Sequence, residues 1–229
     1  MSNSFFQLPF NFSEKALLSD LQKCFNLAWM AHFNQNDYAG EWTSIALRSA
    51  SGLISDVFAH PNADYQDTPL LAHCTYFRSI IDSFNCEKES VRLLSLAPGS
   101  KINEHVDQAG GYADGFHRLH IPIQTNAKVE FIVDGKHVPM KVGECWYADF
   151  SLPHSVVNNS NEARIHLVID CKRNQWSDEL FEQCGYDFSL EQAGNKYDNE
   201  TILKVIDELE QLDSPVSREL IEQLKSQLN

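Results

Sequence analysis

The sequence predicts a mainly β protein, an antiparallel barrel or sandwich with flanking helices and a helical C-terminal tail. Three observations predict it. Between Cys86 and Lys172 the chain offers six or seven short strand-like segments separated by turns, with no helical pattern among them. Before that run, apolar residues recur at helical spacing. After Trp176 the helical spacing returns in a strongly acidic setting.

Taken in order, Asn11 or Ser13 can cap a first helix whose apolar stripe is Leu17, Leu18, Leu21, Phe25 and Trp29. A second helix starts at Thr68-Pro69, where the missing proline N–H costs nothing, and carries Leu71, Cys74, Phe77, Ile81 and Phe84. The strands follow. "VRLLSLAPG" ends in the Pro98-Gly99 turn, and "HRLHIPIQT" is the next extended segment. "KVEFIVDGKHVPMKV" reads as a hairpin, because Asp134-Gly135 is a strong tight-turn signal. "GECWYADF", "HSVVNN" and "ARIHLVIDC" complete the run. In the tail, Ile202, Val205, Ile206 and Leu209 share a helical face. Ser214-Pro215 opens a last helix through Leu220, Leu224 and Leu228. The expected division is therefore residues 1–175, helices and β core, and 176–229, an acidic helical extension.

Composition restricts the function. The 229 residues are 43% hydrophobic and 22% charged, as in a globular domain. A net charge of −14 argues against nucleic acid as the main partner. The charge is uneven: residues 176–229 hold 13 acidic against 4 basic residues, the rest 19 against 14. No apolar run approaches the ~20 residues of a membrane span, and the N-terminus lacks the basic start and apolar stretch of a secretory signal. Six scattered cysteines without a CxxC pair read as small buried hydrophobes in a reducing, cytoplasmic setting. The amphipathic tail can pack on its own domain or support a homo-oligomer.

The chemistry concentrates in "EHVDQAGGYADGFHRLH", residues 104–120. His105 and Asp107 stand two apart at the mouth of a strand, so both side chains can reach one ion. An imidazole and a carboxylate suit Fe(II), Mn or Zn. A polar surface loop would carry the same residues. His154, which begins a new strand after Pro153, adds a distant third ligand and completes the pattern of a facial triad. Arg164 opens the apolar strand "ARIHLVIDC", with Ile165, Leu167 and Ile169 on one face and Arg164 and His166 on the other. It needs an anion, or a structural partner such as Asp149 or Asp170. In "HRLHIPI", Arg118 and His120 likewise point together, away from Leu119, Ile121 and Ile123. If that face lines the barrel, a ligand is required; if it meets solvent, nothing is.

The order "LAPGSKINEHVD", "HRLHIPI" and "GECWYADFSLPHSVVNNSNEARIHLVID" resembles the aspartyl/asparaginyl β-hydroxylase family of Fe(II)- and 2-oxoglutarate-dependent dioxygenases over roughly residues 90–172. Bacterial free-proline cis-hydroxylases are similar too. The resemblance implies a double-stranded β-helix, a cupin-like jelly roll. It implies His105 and His154 as iron ligands, Arg164 on the distal carboxylate of 2-oxoglutarate, and Arg118 and His120 on the carboxylate beside its keto group. Asp107 departs from the animal members, which carry glycine there, and agrees with the proline hydroxylases in keeping a third, acidic ligand. A serine that assists the distal arginine in the animal members falls at Leu94. The glycine-rich stretch from Gln108 to Phe116 is longer than in those members, so Tyr112 and Asp114 are candidates for a substrate lid, or for an exposed turn.

The implied reaction hydroxylates an unactivated C–H of an amino acid or amino-acid side chain with O2, releasing succinate and CO2. The substrate is a small molecule or a peptide. The rival reading is a cupin-like metal- or ligand-binding module without oxygenase activity. That rival needs the histidines but not Arg118, His120 and Arg164 together.

Overall fold

The structure is a computed structural model that describes residues 3–32, 36–60, 63–194, 199–212 and 215–225. The chain runs through β1 (Phe5–Asn11), α1 (Glu14–Gln22), β2 (Met30–Ala31), β3 (Tyr38–Ala39), β4 (Trp42–Ser49), β5 (Gln66–Asp67), α2 (Pro69–His73) and α3 (Thr75–Asp82). The strand-rich centre follows: β6 (Lys88–Leu96), β7 (Lys101–His105), β8 (Phe116–Gln124), β9 (Val129–Val133), β10 (Lys136–His137), β11 (Glu144–Ala148), β12 (His154–Asn158) and β13 (Arg164–Lys172). Helices α4 (Gln175–Gln183), α5 (Ser189–Gly194), α6 (Asn199–Leu212) and α7 (Pro215–Lys225) complete the order.

The strands form two antiparallel sheets. The larger has the order β1-β11-β8-β13-β6-β4-β2, with β5 paired to β4; the smaller has the order β10-β9-β12-β7-β3. Neighbours in space are mostly distant in sequence, which is the winding of a jelly roll, or double-stranded β-helix. Trp42, Leu96 and Trp146 from the larger sheet meet Ile102, Phe131 and Val156 from the smaller in one buried cluster. The expected hairpin is present: Asp134 and Gly135 both have positive φ, 52° and 67°, as a two-residue turn between twisted strands requires.

The larger sheet is covered on both faces, so β8 and β13 are buried almost throughout. Leu119, Ile121 and Ile123 of β8, with Ile165, Leu167 and Ile169 of β13, form the outer face; α1 packs against β8 and α2 against β4. Arg118, His120, Arg164 and His166 take the alternate, inward face, as the period-two pattern predicts.

The N-terminal helices are shorter than their apolar stripes. Of the two expected caps, Ser13 serves, its Oγ accepting from Ala16 N at 3.4 Å. Helix α1 stops at Gln22, Phe25 is 53% exposed, and the Trp29 indole donates to the Cys24 carbonyl at 3.1 Å. The second stripe is split at Cys74, whose φ and ψ of −101° and 71° are not helical. The break has a cause in α1: buried Asp20 accepts from Tyr76 N at 2.8 Å and Phe77 N at 3.0 Å, capping α3 from outside.

The chain divides into compact units at residues 1–186 and 187–229, not at 175/176. Helix α4 belongs to the first unit because Phe181 is fully buried there. Its ring stacks on Tyr112 at 3.9 Å and meets Phe6 edge-on at 5.0 Å. In the second unit, α6 and α7 pack on each other through Ile202, Ile206 and Ile221, flanked by Leu209 and Leu224. Val205, expected on that face, is 39% exposed. Ser214 and Leu228 lie outside the described residues. No described helix is long and apolar enough to cross a membrane.

Truncating Phe181 to alanine removes the ring between Tyr112 and Tyr147. It is expected to lower unfolding free energy by about 3–5 kcal/mol, read as a drop in denaturant midpoint with unchanged slope.

Candidate active site

Two histidines face each other across the smaller sheet. His105 ends β7 and His154 begins β12, and the two are direct cross-strand partners with ring centroids 4.2 Å apart. Each ring donates from Nδ1 to a backbone carbonyl two residues earlier: His105 to Asn103 at 2.8 Å, His154 to Leu152 at 3.0 Å. Those bonds fix the tautomer and leave both Nε2 lone pairs free for a metal. Burial lowers the His154 pKa, against the opposing Leu152 hydrogen bond, and so favours the neutral, ligating form.

Asp107 lies two residues past the end of β7. Its N–H donates to the Phe150 carbonyl at 2.9 Å, tying the segment to the turn before β12. Gly110 makes this close approach possible, because a Cβ there would meet the Phe150 main chain at 3.1 Å and Asp107 Cβ at 3.0 Å. One carboxylate oxygen stands 3.6 Å from His105 Nε2. One ligand atom each from His105, Asp107 and His154 lie within 4.8 Å of one another. Two imidazoles and one carboxylate on adjoining strands fit a divalent first-row metal.

Cationic groups of the larger sheet face this cluster. Arg118 on β8 donates from Nη1 to the other Asp107 oxygen at 2.8 Å, and from Nε and Nη2 to Asp170 at 2.6 and 3.2 Å. Asp170, 2% exposed, also accepts from Arg92 Nη2 at 2.7 Å. Burial alone would raise the Asp170 pKa, but Arg118 and Arg92 outweigh it and hold the carboxyl below its usual range.

Arg164 is different. It is 2% exposed, and among the described residues no carboxylate lies within ion-pair range of it. Neither expected partner serves: Asp149 holds Ser151 at 2.5 and 2.9 Å, and Asp170 is taken by Arg92 and Arg118. Arg164 Nη2 donates to His166 Nδ1 at 2.8 Å, its guanidinium lies 5.4 Å from the Phe131 centroid, and its Nε has no partner. Burial pushes its pKa down to about 9. His120 is buried beside it, with Nδ1 3.2 Å from His166 Nδ1 and Nε2 without a partner.

His105, Asp107, Arg118, His120, His154 and Arg164, six residues singled out from sequence, all line one cavity of about 1110 Å³. Asp114 lines it too, with its carboxylate accepting from Gly111 N at 3.1 Å. Tyr112 is a correction: its ring is fully buried under α4, and its hydroxyl bonds Ser177 at 2.8 Å and Asp178 at 2.9 Å. It is a packing residue, not part of a lid. Leu94, at the expected serine position, lines the cavity as a cross-strand partner of His166. Arg92 and Trp42 on the walls were not foreseen; the one signal for Arg92 is a charge inside the apolar run "VRLLSL".

A jelly roll with a His/Asp/His cluster facing buried arginines defines the class structurally. The chain belongs to the aspartyl/asparaginyl β-hydroxylase family, whose model matches residues 12–174. It is 30% identical over 165 residues to an L-proline cis-4-hydroxylase of Rhizobium meliloti (strain 1021), covering 69% of this chain. The matched segment spans 57% of that relative's length. The fold is similar to that of a 2OG-Fe(II) oxygenase family oxidoreductase from Burkholderia pseudomallei, with a TM-score of 0.53 and 14% identity. That likeness covers 75% of this chain and 86% of the other.

Two outcomes follow from the geometry. Asp107→Gly is expected to weaken Fe(II) binding by at least ~10–100-fold and to free one N–H of Arg118. Unchanged affinity in an Fe(II) titration would remove Asp107 from the ligand set. The second concerns acid. Burial, reinforced by the Arg164 charge, holds His120 and His166 neutral, well below the ordinary imidazole pKa. The unfolded chain therefore takes up these protons first, so stability is full above about pH 6.5 and falls as pH drops below it. Denaturant midpoints between about pH 7.5 and about 5.5 should decline, less steeply in a His166→Asn variant.

Proposed function

We propose that this protein is an Fe(II)- and 2-oxoglutarate-dependent dioxygenase that hydroxylates an unactivated C–H of an amino acid or amino-acid side chain. The observation that carries the reading is Arg164, a buried guanidinium with no carboxylate partner among the described residues, in the cavity that also holds the His/Asp/His cluster. A buried cation in that state calls for an anionic ligand. A dicarboxylate reaching from the cluster to Arg164 satisfies it. A metal-binding cupin without oxygenase activity leaves Arg164 unexplained.

In this reading His105, Asp107 and His154 hold Fe(II). The iron supplies dioxygen activation, coupled to oxidative decarboxylation of 2-oxoglutarate to succinate and CO2, with one oxygen atom entering the substrate C–H. The chain's own residues do the positioning. Arg164 binds the distal carboxylate of 2-oxoglutarate by charge-assisted hydrogen bonds. Arg118 has committed three of its five N–H groups to Asp107 and Asp170; it orients the acidic ligand and offers its remaining N–H groups, beside His120, to the proximal carboxylate. Trp42, Phe131 and Phe150 keep the walls apolar, which excludes water from the reacting atoms. The name of the Rhizobium meliloti relative supports a free amino or imino acid as substrate. A cytoplasmic location rests on the scattered cysteine pattern.

Arg164→Ala is expected to weaken 2-oxoglutarate binding by about 2–5 kcal/mol while Fe(II) binding survives. Isothermal titration with each ligand separates the two, and unchanged 2-oxoglutarate affinity sinks the assignment. Incubation with Fe(II), 2-oxoglutarate and amino-acid or peptide panels should give succinate and a product heavier by one oxygen atom.

A further inference from the structure

A second cluster of ligating side chains lies on the back of the strand pair that carries Arg118 and Asp170. His117 and Cys171 are direct cross-strand partners on β8 and β13, each one residue from the Arg118–Asp170 pair. Alternation therefore turns them away from the cavity, toward the face beneath α4. There His117 lies among the rings of Tyr112, at 5.5 Å, and Phe181, at 5.4 Å. Cys86 joins them from the loop between α3 and β6. That loop is stitched to the end of β13: Lys172 N donates to the Glu87 carbonyl at 2.9 Å, and Asn174 Nδ2 to the Asn85 carbonyl at 2.9 Å.

One ligand atom from each of Cys86, His117 and Cys171 lie within 4.8 Å of one another. All six cysteines are free thiols. His117 is 1% exposed, and its Nδ1 has no hydrogen-bond partner. A buried imidazole and two thiols this close together can donate to one ion. Cys171 is fully buried and Cys86 half-buried, which gives an ion a route in from the surface. Two sulfurs and an imidazole are a soft donor set, suited to zinc, whereas the cavity offers two imidazoles and a carboxylate.

We infer that Cys86, His117 and Cys171 form a second metal site, selective for a thiophilic ion of the zinc type, back to back with the cavity. Binding forms two metal–thiolate bonds and one metal–imidazole bond and releases two thiol protons to solvent, with no change of oxidation state. The fourth position is left to water on the open Cys86 side. The site is independent of the proposed hydroxylation, since none of its ligands lines the cavity.

The test uses the full chain, reduced and stripped of metal, titrated with Co(II) as a spectroscopic probe. Thiolate-to-cobalt charge transfer in the near ultraviolet is expected, and Zn(II) should displace it. The band must come from thiols, because the cavity cluster has no sulfur, and loss of the band in Cys86→Ser assigns it to this site rather than to the Cys24–Cys74 pair. It should persist in the His105→Ala/His154→Ala double variant and vanish in Cys86→Ser. On the wild-type chain, Zn(II) should also slow alkylation of Cys86, followed by peptide mapping, at least about tenfold; this needs no substitution to fold. No thiolate band at saturating Co(II), or a band that survives Cys86→Ser, overturns the proposal. So does a Cys86–Cys171 disulfide that forms in air despite excess Zn(II), which would make the pair a redox couple instead.

Discussion

The cavity depends on one buried carboxylate. Asp170 lies near the C-terminal end of β13, 2% exposed, and a bare charge there would be untenable. Arg92 reaches it from β6 and Arg118 from β8, so three neighbouring strands of the larger sheet are pinned at one point. Arg118 then extends to Asp107, beyond the end of β7 in the other sheet. One charged chain thus links the floor of the jelly roll to the acidic member of the ligand cluster. Its two carboxylates and two guanidiniums neutralise each other, so none of them has charge to spare for Arg164.

That balance gives the two halves of the site different characters. The histidines and Asp107 are fixed by hydrogen bonds to backbone carbonyls, so the atoms that could hold an ion are already gathered. Arg164, His120 and His166 form a buried pocket in which one side-chain nitrogen of each has no protein partner. Such atoms cost stability in the free protein and return it when a matching ligand binds.

Much of this was legible in the sequence, and the reasons differ by residue. Period-two alternation placed Arg118, His120 and Arg164 on the inward face, and the Asp134-Gly135 turn located a hairpin, because both signals are local. Strand β1 escaped because Pro9 argues against a central strand; it pairs at the sheet edge, with a bulge between Leu8 and Asn11. Helix α1 was overextended because the stripe continues past Gln22, while Trp29 instead closes the Cys24 carbonyl. Tyr112 was misplaced because its hydroxyl partners, Ser177 and Asp178, lie 65 and 66 residues away. Arg164 and Asp170 share a strand face, yet register gives Asp170 to Arg118 as its direct cross-strand neighbour.

The register of β8 against β13 has a consequence for how this chain can change over generations. Adjacent residues on each strand, His117-Arg118 and Asp170-Cys171, serve opposite sides of the sheet. Inserting or deleting a single codon within β8 would turn Arg118 into the aromatic layer and His117 into the cavity, and within β13 it would exchange Asp170 and Cys171 in the same way. A change of length is therefore tolerated better in a loop than within either strand. The stretch from Gln108 to Gly115, ahead of β8, is only partly open to such change, because Gly110 packs against Phe150 beside Asp107 and Tyr112 is buried under α4.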